Sequence, residues 1–186
     1  MKNQSVQLTA PLVKRLTVLW PWIMHSASTY GVDPFLIAAV AWKESDFNVN
    51  AVNFESNYYA KYCKNLSTSR IKQMNPAVTS ASAERRLLAM AWGPMQVVGL
   101  TARERGYRKP HLSGLCGEDG IRMGTVYLAY QLGRYGDDIM KSLSAYNAGS
   151  VIQSNHETYV VPALARYSWL KSELHDNPAF GEGKGA

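Results

Sequence analysis

A run of eight apolar residues, Phe35–Trp42, is the feature that most constrains how this chain can fold. It follows Asp33-Pro34, a pair that suits a helix start, because the Asp side chain can accept a backbone N–H and Pro fits the first turn. A helix that is apolar on every side must be buried. The sequence therefore predicts a central helix around which the rest of the domain packs.

An acidic residue comes at the end of this apolar segment. Glu44 lies two residues after Trp42 and is followed by Ser45 and Asp46. Burial and the partial negative charge at the C-terminal end of a helix both raise the pKa of a carboxyl group. A general acid that works near neutral pH needs such a raised pKa. The alternative is a solvated acid that pairs with a cation such as Lys43.

The remaining pattern predicts a single, mainly α-helical domain over residues 1–186. Further helices are expected at about 21–30, 83–90, 118–135, 138–146 and 158–170, from the spacing of apolar residues and from the Gly residues that follow several of them. An insertion at about 50–90 interrupts this pattern, and its polar first part is expected to form loops or a short β-strand. The tail at about 176–186 is expected to be flexible.

Charge and composition narrow the choice of partner. The chain has 20 Lys and Arg against 14 Asp and Glu, a net charge of +6, which favours an anionic polymer such as nucleic acid, a membrane surface or a cell wall. The basic stretch Arg103, Arg105, Arg108 and Lys109 is the best candidate for nucleic-acid contact. It lacks any recognised motif, so we interpret it as a solvated surface and expect no nucleic-acid partner.

No membrane anchor, secretory signal, metal site or cofactor is expected. The longest apolar run is far shorter than the ~20 residues that cross a bilayer, and residues 1–10 are polar, without an apolar signal core. The four His residues show no metal-ligand spacing. The two Cys, Cys63 and Cys116, are far apart and form no CxxC pattern, so we expect free thiols.

Three motifs occur in a specific order. They are Ala-Trp-Lys-Glu-Ser-Asp-Phe at 41–47, Gly-Pro-Met-Gln at 93–96, and Ala-Tyr-Asn-Ala-Gly at 145–149, the last followed by Glu-Thr-Tyr-Val at 157–160. In this order they resemble the lytic transglycosylases of the soluble (SLT) type, relatives of goose-type lysozyme that cleave peptidoglycan. The resemblance runs from about 20 to 170. It implies a mainly α, lysozyme-like fold with a long cleft for glycan strands.

The resemblance also implies roles for individual residues. Glu44 is the expected catalytic acid for cleaving the MurNAc–GlcNAc β-1,4 bond and closing a 1,6-anhydro ring without water. Tyr146 is expected to hydrogen-bond Glu44 or the sugar, and Asn147 to hold a turn or reach an N-acetyl group. The full expected substrate-binding set is Gly93, Met95, Gln96, Tyr146, Asn147 and Glu157. For Glu157 a plain role at a helix N-terminus is an equal alternative.

Two other functions stay open from the sequence. An inverting muramidase needs a second carboxylate about 6.5–9.5 Å from the acid to activate water. Asp46 is expected to point elsewhere because it is only two residues from Glu44, whereas Glu55 in the insertion could reach the cleft. The third possibility is an inactive tail or baseplate protein that keeps the fold.

The insertion departs from most of the family in its length and in its tyrosine-rich start at Tyr58, Tyr59 and Tyr62. Similar insertions occur in phage-encoded members. Together with the polar N-terminus, this predicts a phage virion component, in the tail, that is made in the host cytoplasm and acts in the host wall or periplasm. The expected partners are peptidoglycan glycan strands and other phage tail proteins.

Overall fold

The computed structural model describes residues 6–180 of the protein, and this part is mainly helical, with one small β-sheet. The predicted fold class is confirmed. The helices are α1 Ala10–Tyr30, α2 Pro34–Ser45, α3 Ser56–Tyr58, α4 Thr68–Met74, α5 Ala81–Leu88, α6 Gly99–Glu104, α7 Glu118–Arg134, α8 Ile139–Ala148 and α9 Val161–Leu174. Single π-helical turns, Tyr59–Cys63 and His156–Val160, precede α4 and α9, and 3-10 turns lie at Leu112–Leu115 and Gln153–Asn155.

The sheet consists of three short antiparallel strands, β1 Val52–Phe54, β2 Met90–Trp92 and β3 Val97–Val98, in the order β1-β2-β3. β1 opens the insertion and β2 closes it, with Val52 opposite Trp92. The pairing brings the two ends of the insertion together at the sheet.

Helix α2 is the predicted central helix. The Asp33 carboxylate accepts the backbone N–H of Phe35 at 2.8 Å, and all eight residues of Phe35–Trp42 are buried. α1, α7 and α9 pack around it. The helix ends where Asp46 adopts a left-handed conformation with φ of +54°. The end of α2 is therefore the point where the core meets the surface.

The first helix is longer than predicted. It starts at Ala10, with Pro11 in its first turn, and Pro21 lies inside it rather than at its beginning. An internal proline costs about 3 kcal/mol or more. Burial of Leu16, Leu19, Trp20 and Ile23 on both sides of Pro21 offsets this cost. Gly31, with φ of +66°, ends the helix as predicted.

The first part of the insertion is mainly helical, so the prediction of loops holds only in part. β1 is the expected short strand, but α3, the π turn, α4 and α5 follow it. Ser67 and Ser80 cap α4 and α5 by accepting the backbone N–H of Arg70 and Ala83. The π turn, α4 and α5 bury one or two apolar side chains each in the common core, namely Cys63, Ile71, Met74 and Leu88.

The basic stretch 103–109 is a solvated surface only in part, because Arg108 and Lys109 are exposed but Arg103, which lies in α6, is buried; for Arg103 this corrects the sequence interpretation. Arg103 is fully buried and forms a salt bridge of 3.2 Å with Glu84, which is itself 6% exposed. Its guanidinium also donates to the backbone carbonyls of Tyr107, Lys109 and Pro110. Of the other three cations in the stretch, Lys109 pairs with Asp119 at 2.6 Å. These contacts tie α5 of the insertion to α6.

The C-terminal helices follow the prediction with small shifts. α7 begins at Glu118 and ends at Arg134, one residue before the predicted end, and Asp138 caps α8 by accepting the N–H of Lys141 at 3.0 Å. The predicted flexible tail lies partly outside the described residues. Within them, the ring of Phe180 is buried and lies 5.4 Å from that of Trp20, so this part of the tail is packed.

Both cysteines, Cys63 and Cys116, are free thiols. Among residues 6–180, no helix combines the length and apolar character that a bilayer span requires. In the same described part of the chain, no group of three or more His, Cys, Asp or Glu side chains could hold a metal ion.

Candidate active site

A cleft of about 540 Å³ opens at the end of α2. Its size suits a ligand of several hundred daltons. The walls come from the insertion, the β2-β3 hairpin, α6, α7 and the end of α8. The polar and aromatic lining consists of Glu44, Asn53, Glu55, Tyr58, Tyr62, Gln96, Thr101, Glu104, Arg105, Tyr127, Tyr130, Gln131, Arg134, Tyr146 and Asn147.

Glu44 occupies the last turn of α2 and lines this cleft. Its Oε1 accepts a hydrogen bond of 2.5 Å from the hydroxyl of Tyr159, which is only 4% exposed. Burial raises the pKa of Glu44 to about 7, and this effect exceeds the lowering by the Tyr159 hydrogen bond and by the charge of Lys43. Near neutral pH the carboxyl group can therefore both donate and accept a proton.

Two buried tyrosines flank the Glu44 carboxyl. Burial, with the nearby Glu44 charge, raises the pKa of Tyr159 and of Tyr146 well above the ordinary value. Both hydroxyls therefore remain protonated and available as donors. Tyr146 was expected to bond Glu44 or the sugar, but its hydroxyl instead donates to the carbonyl oxygen of Met95 at 2.8 Å. Its ring still lines the cleft beside Glu44.

Tyr159 is the hydroxyl partner of Glu44 that the sequence analysis missed. It belongs to the quoted Glu-Thr-Tyr-Val segment, in the π-helical turn His156–Val160. The sequence signal that could have indicated a buried tyrosine is the position of Tyr159 directly before the apolar pair Val160-Val161. Glu157, the expected site residue, has 81% of its side chain exposed and pairs with His156 at 2.8 Å. The structure therefore places Tyr159, and not Glu157, next to Glu44.

Ser45 connects the end of α2 to the Gly-Pro-Met-Gln turn. Its hydroxyl donates to the carbonyl oxygen of Pro94 at 2.8 Å and accepts the N–H of Asn48 at 3.0 Å. The turn, residues 93–96, joins β2 to β3. Gly93 and Gln96 both have positive φ, +69° and +47°. Because Glu44 directly precedes Ser45, this hydrogen bond fixes the position of Glu44 relative to the Gly-Pro-Met-Gln turn.

Gln96 lies in the cleft lining, as expected. Its side-chain N–H groups donate to the carbonyl oxygens of Gly93 at 2.9 Å and Ala51 at 3.1 Å. These two bonds orient the amide, and they leave its oxygen as the atom that can accept from a sugar hydroxyl or acetamido N–H. They also tie the turn to the start of β1.

Gly93 and Met95 were expected to contact substrate, but neither lines the cleft. The Met95 side chain is fully buried against α7, where a Cβ on Gly124 would lie 2.4 Å from its sulfur. A Cβ on Gly93 would lie 1.9 Å from the carbonyl oxygen of Leu115. Both residues therefore position the turn by packing, because their side-chain space faces the core.

Asn147 lies exposed in the cleft lining just after Tyr146. Its Oδ1 accepts a hydrogen bond of 3.0 Å from Asn155, a buried residue that also exchanges hydrogen bonds with Ser144. The Asn147 amide oxygen is thus anchored by Asn155.

Two carboxylates raised in the sequence analysis have different positions. Asp46 is exposed beyond the end of α2 and does not line the cleft. Glu55 does line it, and Asn53 donates to its carboxylate at 2.7 Å. The negative charge of Glu55 contributes to the raised pKa of Glu44. The cleft lining therefore holds Glu55 and Glu104 as acids in addition to Glu44.

The aromatic residues of the cleft are tyrosines. Tyr58 and Tyr62 of the insertion have ring centroids 4.7 Å apart, and Tyr127 lies 5.1 Å from Tyr146. Among the described lining residues there is no tryptophan. The spacing 127, 130, 131 and 134 on one face of α7 was an available signal that the sequence analysis did not use.

The sequence profile of the family described as "Transglycosylase SLT domain" matches residues 21–161, well over half of the chain. The match includes Glu44, the Gly-Pro-Met-Gln turn, Tyr146 and Tyr159, which the structure brings together at one end of the cleft. No solved structure matches the chain. The chain therefore belongs to the transglycosylase SLT domain family, whose members are lytic transglycosylases of peptidoglycan.

Proposed function

We propose that the protein cleaves the MurNAc–GlcNAc β-1,4 bond of peptidoglycan without hydrolysis and leaves 1,6-anhydro-MurNAc ends. The observation that carries this proposal is the Glu44 carboxyl group, held in a cleft of ligand size by the Tyr159 hydroxyl at 2.5 Å. Burial gives this carboxyl a pKa of about 7. A single group with that pKa can act first as acid and then as base.

The reaction needs only one proton carrier. Glu44 protonates the glycosidic oxygen, and the C1–O bond breaks so that its electron pair leaves with the GlcNAc 4-hydroxyl. Positive charge develops at C1 of the muramic acid. The C6 hydroxyl of the same ring then bonds to C1 and returns its proton to the Glu44 carboxylate. Attack within one ring has an effective molarity of up to ~10⁵–10⁸ M, so no activated water is required.

A hydrolytic muramidase is the second candidate, because Glu55 lines the same cleft as Glu44. In that mechanism Glu55 would activate a water on the opposite face of the sugar, as the base of an inverting glycosidase does. The hydrogen bond from Asn53 keeps the Glu55 carboxylate oriented as an acceptor. The two mechanisms give different products from the same acid.

Mass spectrometry of digested cell walls separates the two candidates. We expect 1,6-anhydro ends, lighter by one water than hydrolytic ends, from both the wild type and Glu55→Gln. Reducing ends that disappear in Glu55→Gln would establish the muramidase. The third candidate, an inactive structural protein, predicts that turbidity of a cell-wall suspension stays constant with wild-type protein.

We also propose that the protein acts from a phage particle, with other tail proteins as neighbours. The support is the long insertion with its tyrosine-rich start, which resembles that of phage-encoded family members. Proteomics of purified virions is the test. Detection at a constant ratio to tail proteins supports the proposal, whereas occurrence only in late lysates indicates a free endolysin.

A further inference from the structure

Lys43 contacts the same tyrosine ring as Glu44. It directly precedes Glu44 in the last turn of α2, and its side chain is half-buried. The ammonium nitrogen of Lys43 lies over the Tyr159 ring, 5.1 Å from its centroid, and the hydroxyl of the same ring donates to Glu44 at 2.5 Å. One phenol ring therefore has a cation at its face and the acid at its hydroxyl.

The charge of Lys43 is not neutralised by an ion pair. Within residues 6–180, no carboxylate oxygen lies within 4.0 Å of its nitrogen, so the ion pair with Glu44 that the sequence left open does not form. Lys43 is also absent from the lining of the cleft. The side chain therefore acts on the site from behind the carboxyl group and not by contact with a ligand in the cleft.

The Tyr159 ring is well placed to hold a cation. It is 4% exposed, and it belongs to the π-helical turn that precedes α9. A cation within about 6 Å of a ring centroid is attracted by the negative face of the ring. This attraction holds the ring against the end of α2, and it keeps the ammonium group close to the carboxyl group at the other end of the phenol.

The charges around Glu44 act in opposite directions. Lys43 lowers the pKa of Glu44, whereas Glu55 of the insertion raises it. The buried Tyr146 stays a neutral phenol, since burial raises its pKa well above the ordinary value. Arg166 of α9 lies over the Trp42 ring, 5.3 Å from its centroid. The charged and titratable groups on neighbouring elements with smaller effects on Glu44 are Arg15, Glu104, Arg105, Arg134, His156 and Glu157.

We propose that Lys43 is a positioning residue for the reaction: its ammonium group, seated on the Tyr159 ring, holds the phenol that donates to Glu44 and places a positive charge behind the carboxyl group. This inference rests on the proposed function and deepens it. Glu44 becomes a carboxylate when it protonates the glycosidic oxygen, and a nearby cation stabilises that form. Lys43 therefore favours the first proton transfer, whereas the charge of Glu55 favours the return of the proton.

A carboxyl titration by NMR tests this role without substrate. Protein labelled with ¹³C at the Glu carboxyl carbons is titrated at low salt, and the Glu44 signal is the one missing from Glu44→Gln. We expect Lys43→Met to raise the midpoint of the Glu44 titration by about half a pH unit or more, because it removes a nearby positive charge. Lys43→Arg should keep the wild-type midpoint, since a guanidinium binds the same ring face.

Two further variants complete this titration. Glu55→Gln should lower the Glu44 midpoint, because it removes a negative charge. Lys14→Met is the charge-matched control: it removes an exposed lysine of α1 that does not line the cleft, and it should leave the midpoint unchanged. Thermal melts verify that each variant folds, and Lys43→Gln replaces Lys43→Met if that variant does not.

The pH dependence of cell-wall lysis gives a second readout. Glu44 must carry a proton to act as the acid, so the alkaline limb of the lysis rate, measured at low wall concentration, follows its titration. We expect this limb to move to higher pH in Lys43→Met and to stay in place in Lys43→Arg. A general loss of rate with an unmoved limb would indicate a structural role alone and would overturn the proposal.

The titration separates this inference from the proposed function. An unchanged Glu44 midpoint in Lys43→Met would overturn the role of Lys43, as would an equal rise in Lys43→Arg or in Lys14→Met. If the midpoint rises as expected but the wild-type protein lyses no wall at any pH, the action of Lys43 on Glu44 stands and the proposed function fails.

Discussion

The side chain of Glu44 combines two requirements that usually conflict. In the proposed mechanism it must be dehydrated enough to keep its proton near pH 7, and it must still reach a substrate. Its position in the last turn of α2 meets both, because the helix behind it is wholly buried and its carboxyl lines the cleft. The Tyr159 hydroxyl fixes the carboxyl orientation at the cost of a somewhat lower pKa.

Glu44→Gln keeps the shape of this side chain and removes its proton. We expect cell-wall lysis to fall by at least about 10²-fold, the low end for general acid catalysis. Turbidity loss of purified walls measures the effect. Asp46→Asn, a nearby acid outside the cleft, is the control and should lyse walls at the wild-type rate. Lysis by the Gln variant at that same rate would remove Glu44 from the mechanism.

The raised pKa of Glu44 also predicts how stability depends on pH. Below its ordinary pKa of 4.5 the group is protonated in both folded and unfolded chains, whereas between 4.5 and about 7 only the unfolded chain releases the proton. The contribution of Glu44 to the stability of the wild type therefore falls across that window as pH rises. Glu44→Gln should unfold like the wild type at pH 4 and be more stable by about 1–3 kcal/mol at pH 8.

Thermal melts at the two pH values measure this difference. Glu173→Gln, which alters an exposed acid on α9, is the matched control. Its melting temperature should differ little from that of the wild type at either pH. A Glu44→Gln protein that is no more stable than the wild type at pH 8 would mean that the carboxyl group is better hydrated than its surroundings indicate.

At the scale of elements, the β2-β3 turn depends on a glycine. Gly93 has φ of +69°, and a Cβ there would meet the Leu115 carbonyl oxygen at 1.9 Å. We expect Gly93→Ala to cost about 3 kcal/mol or more in urea unfolding and to reduce lysis by displacing Gln96. Gly133→Ala on α7 meets open space and should be neutral or stabilising by up to about 1 kcal/mol. Equal effects of the two substitutions would contradict this account.

The insertion is attached to the core by a buried ion pair. Glu84 on α5 holds Arg103 on α6 at 3.2 Å, and Asn75 donates to the same carboxylate oxygen. Glu84→Gln leaves a buried guanidinium uncompensated, so we expect a loss of about 3–5 kcal/mol in urea unfolding. Glu118→Gln, on the exposed start of α7, is the control and should change stability little. A small loss for Glu84→Gln would mean that the carbonyl oxygens around Arg103 suffice to hold its charge.

At the scale of the whole molecule, the net charge of +6 governs attraction to an anionic wall. We expect binding of the Glu44→Gln protein to walls to weaken as NaCl rises from about 0.05 to about 0.5 M, because salt screens exposed charges. Binding to neutral chitin should vary far less over the same range. A co-sedimentation assay measures both. Equal salt dependence for the two polymers would rule out a role for charge attraction.

The sequence by itself determined the elements whose signals are local. The eight apolar residues with their Asp-Pro start defined α2, because a helix without a polar face has no stable place except the core. Gly31 and the long apolar pattern of α7 defined the neighbouring helices. The ordered motifs identified the acid Glu44 and the family, since each motif is a short contiguous segment.

Only the tertiary structure decided which side chains meet in the cleft. Tyr159, rather than Tyr146, bonds Glu44 across more than a hundred residues, and Arg103 is buried although it belongs to the same basic stretch as the exposed Arg108 and Lys109. The helices of the insertion have no strong periodic pattern in the sequence. They are stabilised by the few side chains that they bury and by the ion pair between Glu84 and Arg103. Such contacts depend on how distant elements pack, and packing of this kind leaves no periodic trace in a single sequence.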